Sequence, residues 1–247
     1  MTNLHLINIY FITLVLILIN ILLILIKKQK ILKYTSILAV LSAGCAYIGF
    51  YLVSSHLPVY DKFATLQNIV FVILILGFIY NRTPQVKGKN INVLWPFALV
   101  LQLLVLTQKM EVTGDYYMYD KFYVILFFQL RITSIGLFVF AMINLVESLL
   151  NKKNPQFQNI LIHRARNFTV LGSIVFLSGE FSGSYWCFLW WGDPWHWSKG
   201  FFIASVMFLL SMLSSHLPFN LANTKRKKTI YSLIALCLIL STYLLPH

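Results

Sequence analysis

Acidic residues are scarce in this chain: seven Asp and Glu stand against 20 Lys and Arg in 247 residues, and charged residues of both signs make up only 11%. A soluble domain carries roughly 25% charged residues, so this composition excludes an ordinary water-exposed surface. Cysteine is almost missing. Cys45, Cys187 and Cys237 stand apart, with no C-x-x-C and no C-x-x-C-H, which argues against a paired-thiol carrier and a covalently attached c-type haem. There is no H-E-x-x-H, no Ser/His/Asp set and no phosphate-cradling glycine run, so nothing points to hydrolytic or phosphoryl chemistry.

What is abundant is apolar: 59% of the chain is hydrophobic. About 20 helical residues cross the hydrocarbon of a bilayer, and eight runs of that order are visible, near 4–26, 32–54, 64–80, 91–108, 122–149, 168–186, 200–216 and 229–246. The sequence therefore predicts an all-α, polytopic membrane helix bundle of about eight transmembrane helices, forming a single bundle over 1–247. The links carry its orientation. Lys27, Lys28, Lys30 and Lys33 follow the first run, Arg82, Lys87 and Lys89 the third, Lys152, Lys153, Arg164 and Arg166 the fifth, and Lys225, Arg226, Lys227 and Lys228 the seventh. Lys62, Lys109, Lys121 and Lys199 fall on the other links, beside Asp61, Glu111, Asp115, Asp120 and Asp193. By the positive-inside rule the first set faces the cytoplasm, and both termini lie on the outer, periplasmic side. The net charge of +13 is thus a topology signal. No basic stripe is interleaved with aromatics as nucleic-acid binding would require. The first run has no preceding cation, is too long for a signal h-region and lacks a small-residue cleavage site, so it reads as a retained helix.

Two ionisable residues lie deep in these runs, Arg131 in the fifth and Glu180 in the sixth. At such depth an ion faces a partner or a polar cavity. The two stand at depths within an arginine's reach and can pair; alternatively Arg131 meets a ligand carboxylate, which a guanidinium grips with two prongs. The tetrapeptide YDKF occurs at Tyr60–Phe63 and again at Tyr119–Phe122, a slight hint of duplication. His56 stands at the outer end of the second run, where an interfacial imidazole is unremarkable.

Five of the six tryptophans, Trp186, Trp190, Trp191, Trp195 and Trp197, fall within twelve residues threaded by Gly192, Asp193 and Pro194. An aromatic belt spreads over all helix ends; this concentration at one end reads instead as a shelf of π-faces for a large planar apolar ligand. Gly179, Gly183, Trp186, Trp191, Gly192, Trp195 and Trp197 give G-x3-G-x2-W-x4-W-G-x2-W-x-W, and His216 follows nineteen residues later. This pattern resembles the WWD signature of the CcsA/ResC-type (system II) cytochrome c biogenesis proteins, strongly over 168–217 and more loosely over Pro58–Leu66.

The resemblance implies a bacterial inner (cytoplasmic) membrane protein, or an organelle membrane protein in a eukaryote. It would handle haem b and present it on the outer face for attachment to the CxxCH thiols of apocytochrome c, as a component of a haem-lyase complex with a CcsB/ResB-like partner. Implied haem contacts are Trp186, Trp191, Gly192, Trp195, Trp197 and Arg131; implied iron ligands are His216 at a helix end, His247 and His56, with His196 a further imidazole. Residues 179–216 form the haem-handling loop and following helix. There are departures. Ser198 stands where the family has its motif aspartate, and Gln129 and Arg131 occupy the neighbourhood of an expected outer histidine. The alternative is a divergent, non-catalytic subunit or scaffold of a larger membrane complex. A transporter with an aromatic gate would require paired broken helices, which the sequence lacks.

Overall fold

The computed structural model describes residues 3–54, 57, 59–81, 92–108, 121–151, 154–194, 199–217 and 223–244. It contains eight helices: α1 (Asn3–Leu25), α2 (Gln29–Ser54), α3 (Lys62–Asn81), α4 (Leu94–Leu106), α5 (Phe122–Leu150), α6 (Pro155–Trp191), α7 (Lys199–Ser215) and α8 (Lys225–Leu244). No strand occurs among the described residues. Six helices, α1, α2, α3, α5, α6 and α8, are long and apolar enough to cross a membrane; α4 and α7 are apolar but shorter. The chain is an all-helical, multi-pass membrane protein. The chain divides into two compact units, Met1–Lys121 and Phe122–His247.

In the first unit α1 packs on α2, α2 on α3, α3 on α4 and α4 on α1. The burial pattern of α1 is that of a membrane helix. Leu6, Tyr10, Thr13, Ile17 and Asn20 are buried at a 3–4 residue spacing, while Phe11, Ile12, Val15, Leu18 and Leu22 are exposed. The outward side chains are apolar, and the polar Thr13 and Asn20 face inward among apolar ones, which suits a lipid solvent. Because lipid gives apolar helices no reason to associate, hydrogen bonds and close packing must hold them. Thr13 Oγ1 and Ser42 Oγ lie 2.7 Å apart, and the Thr35 hydroxyl donates to Asn20 Oδ1 at 2.7 Å. The α1–α2 link turns at Lys27, whose φ of 59° is left-handed, with Lys28 N–H donating to Leu23 C=O at 3.0 Å. That six-residue closure normally uses glycine. Between α3 and α4, a Cβ added at Gly77 would collide with the Leu94 side chain.

The second unit repeats this closed order: α5 packs on α6, α6 on α7, α7 on α8 and α8 on α5. The YDKF pair does not mark a duplication in register, since one copy precedes the third helix of its unit and the other the first. The helix α5 is the spine, buried almost without interruption from Ile132 to Leu145. Antiparallel to it runs α6, which at 37 residues is about 55 Å long, nearly twice the hydrocarbon thickness. The sequence places the sixth span at 168–186 and assigns His163, Arg164 and Arg166 to a basic link; they instead stand on the extended helix. Its start is set by Asn154, whose side chain accepts from Phe157 N–H at 2.9 Å, and by Pro155 in the first turn. This Asn-Pro start signal was present in the sequence and hidden by the charges after it.

Candidate functional site

The site is built from the α5–α6 seam outward. A Cβ added at Gly183 would lie 2.5 Å from Phe127 Cδ2, and one at Gly179 would lie 3.3 Å from Leu130 Cβ and from Phe127 O. The G-x3-G that opens the tryptophan pattern is therefore helical and brings two backbones together, as small residues do between membrane helices. Ser182 Oγ donates across the same seam to Tyr123 O at 2.9 Å.

Close approach creates a four-residue box. Phe127 and Arg131 are four apart on α5, and Phe176 and Glu180 four apart on α6, so each pair shares a face. Arg131 Nε donates to Glu180 Oε1 at 2.7 Å. The guanidinium carbon lies 4.6 Å from the Phe127 ring centroid and 5.8 Å from that of Phe176. Of the two readings the sequence leaves open for Arg131, the geometry supplies the ion pair, with cation–π contacts from two rings.

One helical turn beyond the box the surface becomes aromatic. Trp186, Trp190 and Trp191 lie on the last turns of α6 rather than in a connection. The helix stops at Gly192, whose φ of 71° is left-handed and whose N–H donates to Phe188 O at 2.9 Å. Glycine suits that turn because a Cβ penalises φ > 0. Trp186 and Trp191 approach with ring centroids 5.5 Å apart and planes tilted by 58°, which makes a notch rather than a flat shelf. Trp190 and Trp191 are exposed, as are Phe181, Tyr185 and Phe188. Trp186 Nε1 is buried and has no acceptor among the described residues, an N–H that requires a partner. Trp195, His196 and Trp197 lie outside the described residues, as do His56 and His247.

At the other end of α7, His216 follows the last helical residue and is exposed. Its Nδ1 lies 2.9 Å from Ser215 Oγ. The Ser215 hydroxyl has carbonyls to donate to, Ser211 O at 3.2 Å and Met212 O at 3.1 Å, so its oxygen is available to accept from an Nδ1–H. That leaves the Nε2 lone pair for a metal, with the other ring nitrogen held as metal-binding histidines require. The 17 residues of α7 separate this histidine from the indole end by about 25 Å. Within the second unit the described histidines, His163 and His216, both stand away from the indole end, and no three metal-binding side chains converge among the described residues.

No protein-family model matches the chain, and no curated protein matches it.

Proposed function

We propose that the chain handles haem for c-type cytochrome assembly, holding it at the outer membrane face for attachment to the CxxCH thiols of an apocytochrome. In this reading all eight helices cross the membrane, the basic links lie inside, and both termini and the tryptophan end lie outside. The observation that carries it is the exposed indole end with a buried, acceptor-less Trp186 N–H. Haem is a flat apolar disc with polar propionates, and indole faces with a free donor match both parts. Trp186, Trp191 and Gly192, with Trp195 and Trp197, would pack on the macrocycle and admit close backbone approach. Imidazole ligation at this end falls to His196, His56, His247 or a CcsB/ResB-like partner; His216 serves a separate site near the inner face. Arg131 acts in this reading from its ion pair with Glu180, as the floor under the indole end. Bound haem supplies the vinyl groups that the apocytochrome thiols attack, and this chain positions and shields them.

Two sequence departures favour a second reading, a scaffold that retains the fold without loading haem: Ser198 stands where the motif has its aspartate, and Gln129 and Arg131 occupy the neighbourhood of the expected outer histidine. Purification in detergent with absorption spectroscopy separates the two. A Soret band with low-spin α and β bands that weakens in His216→Ala supports haem handling. A colourless protein, alone and with its partner co-expressed, leaves the scaffold.

A further inference from the structure

The opposite end of the second unit holds a cup that shares Ser215 with the His216 contact and whose basic side chains haem handling leaves unused. It is a cavity of about 210 Å³ between α6, α7 and α8. Hydroxyl residues line its floor: Thr169, Ser214, Thr229 and Ser232 are each less than a tenth exposed. Its rim carries three cations, Arg166 from α6 and Lys225 and Lys228 from α8, with the His163 imidazole beside them, all exposed. Among the described residues no Asp or Glu lines it.

The rim is electrostatically unfavourable as it stands. Lys225, Arg226, Lys227 and Lys228 occupy the first turn of α8, where the helix dipole disfavours cations and favours anions. Lys225 Nζ donates to Asn159 Oδ1 of α6, which fastens the rim across the mouth. The floor hydroxyls donate to backbone carbonyls, Thr169 to Ala165 O at 3.0 Å, Thr229 to Lys225 O at 3.0 Å and Ser232 to Ser214 O at 2.8 Å. The floor is thus polar, internally satisfied and without compensating negative charge. An anion is what the cup lacks.

Size and level narrow the anion. The volume equals about seven waters at ~30 Å³ each and falls below the ~300 Å³ at which pockets for drug-sized ligands begin, which is room for a small anionic group. The cup lies between the end of α6 that carries His163 and Arg166, the end of α7 at Ser215 and the start of α8 at Lys225, the level at which apolar helices meet lipid headgroups, and basic pockets between membrane helices take phosphate headgroups there. We propose that this cup binds a phosphate group, supplied by a phospholipid headgroup or by free inorganic phosphate.

The test uses the full chain in detergent. Native mass spectrometry follows retention of phosphatidylglycerol against phosphatidylcholine, and thermal unfolding follows the response to inorganic phosphate. The variants are Arg166→Gln/Lys228→Gln, its charge-keeping counterpart Arg166→Lys/Lys228→Arg, and a control on the first unit, Lys30→Gln/Lys33→Gln. The expected result is at least a tenfold loss of phosphate-group binding in the first variant only. Phosphatidylglycerol retained against millimolar inorganic phosphate assigns the headgroup; stabilisation by phosphate with displacement of the lipid assigns the free ion. Equal losses in the control, or no binding of either probe to the unmodified chain, overturn the proposal.

Discussion

Removing one partner of the Arg131–Glu180 pair exposes what holds α5 to α6. At 2.7 Å and an effective dielectric of about 20, the gross attraction is about 6 kcal/mol, and desolvation of the two ions takes back several kcal/mol. The net worth of the pair is therefore small, but the cost of orphaning one ion is not. Fully buried pairs lose about 3–5 kcal/mol when halved and exposed pairs about 0.2–1 kcal/mol. Side chains 21% and 24% exposed sit between, so Glu180→Met and Arg131→Met should each cost about 2–3 kcal/mol. The double variant should return to within about 1 kcal/mol of the parent, because Phe127 and Phe176 then enclose apolar chains of similar volume. Unfolding in mixed micelles with rising denaturing-detergent fraction measures all four corners of the cycle. Single variants that unfold like the parent, or a double variant whose loss is the sum of the singles, would refute the reasoning.

The seam glycines should differ in tolerance. Gly172→Ala drives a methyl to 2.7 Å from the buried Phe138 ring and should cost about 2–3 kcal/mol, whereas Gly183→Ala meets the less buried Phe127 ring and should cost about 1 kcal/mol; the same unfolding assay ranks them. Lys27→Gly relieves a left-handed lysine and should stabilise by up to about 1 kcal/mol net of glycine's added chain entropy, read as a higher unfolding midpoint. Ser215→Ala removes the acceptor for His216 Nδ1 and should weaken haem retention roughly tenfold with the Soret position kept, measured by titrating haem into detergent-solubilised protein.

The helices were legible because about 20 consecutive apolar residues leave little else for a chain to do, and six of the eight expected spans are matched by helices long enough to cross. What periodicity could not supply was which side chains meet. The Arg131–Glu180 depth match was readable from counting, but the choice between partner and ligand depended on Gly179 and Gly183 letting Phe127 close on the seam. The start of α6 was misread because cations at Arg164 and Arg166 look like a link, although Asn154 and Pro155 spell a helix start. Trp190 and Trp191 fall past the expected end of the sixth span at 186, because Gly192, Asp193 and Pro194 break the chain just afterwards. The cup was invisible for another reason: its cations come from two helices sixty residues apart in sequence, and only their convergence gives it meaning.

Because α6 is one unbroken rod, it fixes the azimuth of everything mounted on it. Arg166 near its beginning and Trp186 near its end are held at one fixed angular offset, set at about 100° per residue. Inserting one residue between Thr169 and Gly179 would swing Ser182 and Tyr185, and the indoles beyond them, by that angle away from Tyr123 while leaving the cup untouched. Two whole turns, seven residues, would bring them back close to their original heading. An insertion that keeps both ends of α6 in place must come close to a whole number of turns, so the spacing between its cationic and its aromatic extremities is quantised by helix geometry.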